Sequence, residues 1–164
     1  MTIYLKNKQT LKIDDFLFKC SIGKNGISKK KIEGDKKTPK GIFEIENLYF
    51  RKDKIRNFQT KLKSIAIKKT MGWSNDIRDK KSYNKLIEIN KKVRHEKLYR
   101  NDSKYDLLIP IKYNFKKRIV GLGSCIFIHV TNNFKPTAGC IAISKKDFLI
   151  MLKLINKKTK IKII

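Results

Sequence analysis

Apolar and polar positions alternate in short runs along most of the chain. The runs Thr2 to Leu5, Phe16 to Ile22, Gly41 to Leu48, Ser64 to Lys68, Tyr105 to Tyr113 and Cys125 to Val130 are rich in β-branched and aromatic residues, and each reads as a strand. The closing stretch Thr159 to Ile164 alternates in the same way. Turn chemistry separates these runs at Gly23 to Gly26, Gly34-Asp35, Pro39 to Gly41 and Gly121 to Gly123. One late segment has a different period. Ser144 with Asp147 three residues on makes a capping-box start, and Phe148, Leu152 and Ile155 then recur at helical spacing. The stretch Asp76 to Lys97 mixes polar residues with Leu86 and Ile87 and fits neither period. The pattern predicts a mainly β, sandwich-like fold with a late α-helix packed on the sheet. No repeat, low-complexity linker or composition break divides the chain, so a single domain over residues 1–164 is expected.

Composition adds a core and a strong charge. Hydrophobic residues make up 40%, with nine Phe, six Tyr and one Trp, which is enough to fill one core in 164 residues. The net charge of +27 taken alone suggests a polyanionic partner. Its make-up points elsewhere, because 35 of the 41 basic residues are Lys and six are Arg, whereas bidentate phosphate and base recognition favours Arg. The lysines are dispersed among many Ile and Asn residues, as AT-rich codon usage would produce. No specific nucleic-acid partner is therefore expected, although an acidic substrate would be drawn in. Apolar runs such as Phe148 to Leu152 are too short to cross a bilayer, so no membrane insertion is expected.

Three cysteines, Cys20, Cys125 and Cys140, form no CxxC pair, and an odd count argues against a disulfide framework. The informative one is Cys140. A strand carrying His129 is followed by a loop containing Pro136, and Thr137-Ala138-Gly139-Cys140 then opens another apolar strand. If the two strands are neighbours, the imidazole can take the thiol proton and make a nucleophile for a carbonyl. Gly139 lets substrate approach the backbone, and amides around Gly139 and Cys140 can face the oxyanion of a tetrahedral intermediate. The group that orients His129 is open among Asn133, Ser124 and a backbone carbonyl. Cys125, four residues before His129, shares its face by alternation. A metal site there would need further ligands, so neither metal nor cofactor is expected and Cys125 and Cys20 are assigned to packing.

The run His129, Thr137, Gly139, Cys140, Ile141 resembles the signature of the YkuD-type L,D-transpeptidases: a His, a loop, a Ser or Thr, then Gly-Cys and an aliphatic residue. Upstream, Gly34-Asp35, Thr38-Pro39, Gly41 and Phe43 are similar to the pattern on an early hairpin of the same family. Met71-Gly72-Trp73, His95-Glu96 and Tyr105-Asp106 look like landmarks of a compact bacterial branch, so the resemblance runs from about Ser21 to Leu152. It implies a cysteine-dependent acyl transferase acting on peptidoglycan stem tetrapeptides or muropeptides, with release of D-alanine. The implied roles are Cys140 as nucleophile, His129 as base and then acid, and Gly139 with Thr137 shaping the oxyanion side. Trp73, His95 and Tyr105 are candidate substrate contacts.

Two departures from the commonest family pattern bear on substrate recognition. Ala138 stands where a His usually precedes Gly-Cys, and Ala142 stands where Arg or Asn usually follows. Arg94, Arg100 or a lysine would have to supply a cation for a stem carboxylate. Lys6 and Lys8 interrupt the start where a secretion signal needs an apolar stretch. The chain as given thus reads as cytoplasmic and monomeric, whereas the family is mostly periplasmic or of the cell envelope. This sharpens an alternative, a cytoplasmic L,D-carboxypeptidase of peptidoglycan recycling using the same Cys/His site. A third reading is a polyanion-binding module that has kept the fold and lost catalysis.

Overall fold

The computed structural model describes residues 1–89 and 91–164. Its strands in chain order are β1 (Thr2–Asn7), β2 (Thr10–Ile13), β3 (Phe16–Ser21), β4 (Ile27–Ser28), β5 (Thr38–Pro39), β6 (Gly41–Glu44), β7 (Leu48–Phe50) and β8 (Ser64–Ala66). They continue with β9 (Met71–Ser74), β10 (Leu86–Glu88), β11 (His95–Lys97), β12 (Leu107–Pro110), β13 (Phe127–Val130) and β14 (Ile141–Ile143). Helix α1 (Lys145–Leu154) and β15 (Lys160–Ile163) close the chain. The fold is mostly β, with one late helix and a curled sheet, as the alternation predicts.

Ten strands form the main sheet in the order β6-β15-β1-β2-β3-β14-β13-β12-β7-β8. Its inner face is the principal core. Ile3, Leu5, Leu11, Ile13, Ile128, Val130, Ile141 and Ile143 line it, and α1 adds Phe148, Met151 and Leu152. The helix begins as its sequence dictates, because Ser144 Oγ accepts the Asp147 N–H at 3.1 Å and so satisfies one otherwise unpaired amide of the first turn.

The predicted run Gly41 to Leu48 is two strands, β6 and β7, on opposite flanks of the sheet. Glu46 N–H donates to Pro110 O at 2.9 Å within the crossing. Alternation is a local signal and does not register a change of partner. The unassigned stretch Asp76 to Lys97 supplies β10 and β11, which flank β9 in a separate three-stranded sheet; Asn90 within it lies outside the described residues. These strands are three residues long and bury only part of their surface, which is why neither period shows. Their sheet delivers Trp73 to the outer face of the main sheet. There a second cluster forms from Tyr49, Trp73, Leu98, Tyr105, Leu108, Phe127, Cys125 and Cys140.

Candidate active site

Strands β13 and β14 run parallel at the middle of the sheet, with Ile128 opposite Ile141 and His129 opposite Ala142. Paired residues share a face, and alternation turns Ile128, Val130, Ile141 and Ile143 inward. His129, Phe127, Ala142 and Cys140 therefore face outward. Cys140 and His129 are diagonal neighbours on that face, about 8 Å apart at Cα from strand spacing and rise. The loop that contains Pro136 thus does what its position between two apolar runs suggests. Phe127 N–H points at Cys140 Sγ at 3.4 Å, and the thiol donates to Cys125 O at 3.2 Å.

Burial sets the protonation states. Cys140 is 6% exposed, and burial, with the nearby Glu96 carboxylate, pushes its thiol up to about 12. His129 is 2% exposed, and burial, with the charges of Lys104 and Arg100, lowers its imidazole to about 3 despite the bond to the Val130 carbonyl. At neutral pH the pair is a thiol and a neutral ring. His129 Nδ1 lies 2.9 Å from Val130 O, which can only accept, so Nδ1 carries the proton and Nε2 keeps its lone pair. Nε2 is buried and has no hydrogen-bond partner among the described residues. Of the three candidates for orienting the ring, the backbone carbonyl does so. Ser124 is engaged with Glu33 at 2.7 Å, and Asn133 Oδ1 accepts from Lys135 N–H at 3.1 Å.

The early hairpin reaches the site directly. Thr38 is fully buried; its hydroxyl accepts from Gly23 N–H and donates to Gly139 O, both at 2.9 Å. Lys31, itself buried, pairs with Asp35 at 2.5 Å and donates to Lys37 O at 2.7 Å, which holds the turn beneath Thr38. Gly139 has φ +137°, and a Cβ there would stand 2.9 Å from Lys37 O. Only glycine fits both the conformation and the gap. Thr137 closes the turn on the other side, accepting Gly139 N–H at 3.1 Å and donating to Cys140 O at 2.6 Å.

The remaining candidates fall into two groups. Tyr105 stands edge-on to His129, with ring centroids 5.6 Å apart, and its hydroxyl donates to Glu96. Glu96 was legible only as part of a dipeptide landmark, yet its carboxylate is the charge felt by Tyr105, Cys125 and Cys140. Trp73 is 3% exposed, packs against Tyr49, Phe115 and Phe127, and donates its indole N–H to Asn84. It is a wall of the second core rather than an open face. His95 takes the opposite side of β11 from Glu96, packing on Gly72 with Nδ1 2.6 Å from Val93 O. Cys125 is buried with φ +54°, a bend before β13 that presents its carbonyl to the Cys140 thiol. No group of three or more metal-ligating side chains occurs among the described residues.

A cavity of about 290 Å³ adjoins His129, lined by it with Thr137 and Ala142 together with Asp102, Lys104 and Lys135. The short side chain of Ala142 leaves this space open in the middle of the sheet.

A curled sheet thus carries a buried thiol and an unpaired imidazole nitrogen on one face. Residues 1–163 match the L,D-transpeptidase catalytic domain (YkuD), and the chain belongs to that family. The match runs beyond the resemblance of Ser21 to Leu152 on both sides and takes in β1 and β15, which pair as neighbours in the same sheet. The protein is accordingly a transpeptidase-family enzyme, and the family acts on peptidoglycan. No curated protein and no solved structure matches it. No described helix is long and apolar enough to cross a membrane.

Proposed function

We propose that the chain transfers the acyl group of a peptidoglycan tetrapeptide stem through a thioester on Cys140, with His129 as base and then acid. The observation that carries this reading is the orphaned His129 Nε2, a buried acceptor on the same outer face as the thiol. An unpaired buried nitrogen costs about 1–3 kcal/mol, a cost that a substrate-directed role accounts for.

The thiolate–imidazolium pair lies uphill, since the thiol sits near 12 and the ring near 3. Proton transfer therefore accompanies attack. Rotation about the Cys140 Cα–Cβ bond turns the S–H from Cys125 O towards Nε2. Sulfur bonds to the carbonyl carbon of the third stem residue as the proton passes to Nε2, and the carbonyl electron pair moves to oxygen. The Gly139 amide is held by Thr137, so the Cys140 amide is the donor we assign to that oxyanion. Collapse expels the amine of D-alanine, which takes the proton from Nε2. An amine of a second stem then attacks the thioester carbonyl as Nε2 accepts its proton, and collapse breaks the C–S bond, the sulfur taking that proton back from Nε2 to restore the thiol.

Incubation with a disaccharide-tetrapeptide, followed by mass spectrometry beside Cys140→Ala, tests the reading. Loss of D-alanine with a cross-linked dimer is expected. Tripeptide alone would move the assignment to the L,D-carboxypeptidase, in which water accepts the acyl group. Equal D-alanine release by Cys140→Ala would sink both.

A further inference from the structure

Ala142 leaves space on the His129 side of the thiol, and the charges around that space are unbalanced. Asp102, the acid on the cavity wall, is held by Arg100 through two hydrogen bonds of 2.8 and 2.5 Å. Lys104 and Lys135, the cations on the wall, form no ion pair among the described residues. Lys135 is exposed, whereas Lys104 is half-buried, with its amine 5.4 Å from the centre of the Tyr105 ring that abuts His129. The Lys104 charge is felt at both Cys140 and His129.

The geometry points to Lys104 as the residue that binds the terminal carboxylate of the leaving D-amino acid, within the cavity bordered by His129 and Ala142. The inference rests on the acyl-transfer reading of Cys140 and His129. Its logic is the position of the leaving group. The departing amine must meet His129 to be protonated, and the carboxylate is one Cα further along the same residue, so its cation has to stand beyond His129 from the sulfur. The cavity of about 290 Å³ has room for one small amino acid with waters, each of which takes about 30 Å³. Lys104, from the loop before Tyr105, lines the same cavity as Ala142 and brings to it the cation that Ala142 lacks. Lys135, also on the cavity wall, adds a second and more solvated charge.

The test compares donor tetrapeptides ending in a free carboxylate and in a carboxamide, reading release of D-alanine or D-alaninamide by wild type, Lys104→Gln, Lys104→Arg and Cys140→Ala. Wild type is expected to favour the carboxylate by about 10- to 100-fold in kcat/KM, the range of a charge-assisted hydrogen bond. Lys104→Gln is expected to lose that preference, its kcat/KM falling further on the carboxylate than on the carboxamide, and Lys104→Arg to restore it. Equal losses on both donors in Lys104→Gln, or no preference in wild type, overturns the assignment. Release that survives in Cys140→Ala instead overturns the acyl-transfer reading beneath it.

Discussion

The Thr38 hydroxyl donates to the Gly139 carbonyl at 2.9 Å across 101 residues of chain. This bond joins the two sequence motifs and places the early hairpin against the backbone that presents Cys140. The hydroxyl is spent twice, since it also accepts from Gly23 N–H, where any Cβ would stand 2.5 Å from Lys36 O.

Thr38→Val preserves shape and removes both bonds, leaving a buried amide and carbonyl without partners. We expect a loss of about 1–3 kcal/mol in urea denaturation. D-alanine release should fall about tenfold or more, as the Gly139 turn loosens. Unchanged release would show that the hairpin does not position Cys140.

Asp35→Asn removes the carboxylate paired with the buried Lys31 ammonium and leaves it only the bond to Lys37 O and a neutral amide. Breaking a buried pair by removing one partner costs about 3–5 kcal/mol. Burial works to raise the Asp35 carboxyl, and the hydrogen bonds from Lys31, Lys37 and Ile32 outweigh it, so the group sits below its usual range. Its contribution to stability is present above the ordinary carboxylate value of 3.8 and is lost as pH falls through the lowered one. Thermal unfolding of wild type and variant should converge only at strongly acid pH.

His129 and Cys140 define opposite pH limbs. The imidazole, at about 3 in the fold against 6.5 when free, means that the unfolded chain binds the extra proton between those values. Stability therefore falls as pH drops below 6.5, by up to about 1.4 kcal/mol per pH unit from this group. The thiol, at about 12 against 9, binds its proton more tightly in the fold, so stability falls as pH rises above 9. His129→Gln should flatten the acid limb in melting curves.

The same neutral pair predicts slow alkylation of Cys140 by iodoacetamide at pH 7, rising about tenfold per pH unit as the thiolate fraction grows. Rapid, pH-independent alkylation would reveal a standing thiolate–imidazolium pair and reverse the order of proton transfer proposed above.

Cys125 accepts the Cys140 thiol through its carbonyl, and its own sulfur lies 3.7 Å from Trp73 O. Cys125→Ala is therefore expected to keep D-alanine release within about threefold of wild type while costing about 1 kcal/mol of packing. A loss as deep as that of Cys140→Ala would give the second thiol a part in the chemistry.

Much of the fold was legible because its signals are local. Alternation marks β1, β3 and β13, and Ser144 with Asp147 marks the start of α1, since strand period and cap chemistry operate within a few residues. His129 and Cys140 stood out because a loop between two apolar runs can return the chain to an adjacent strand. The orienting role of the Val130 carbonyl left no trace in residue type, because any residue carries that acceptor. Glu96 and Lys104 were likewise indistinct among 14 acidic and 41 basic residues. The tertiary structure selects them by bringing β11 and the loop before Tyr105 to the outer face of β13. Sequence by itself determined the element types and the paired motifs, which depend on backbone preference and spacing. Only tertiary structure decided which charges and carbonyls reach the thiol and the imidazole, because their effect depends on distance and burial, which residues far apart in the chain acquire together on folding.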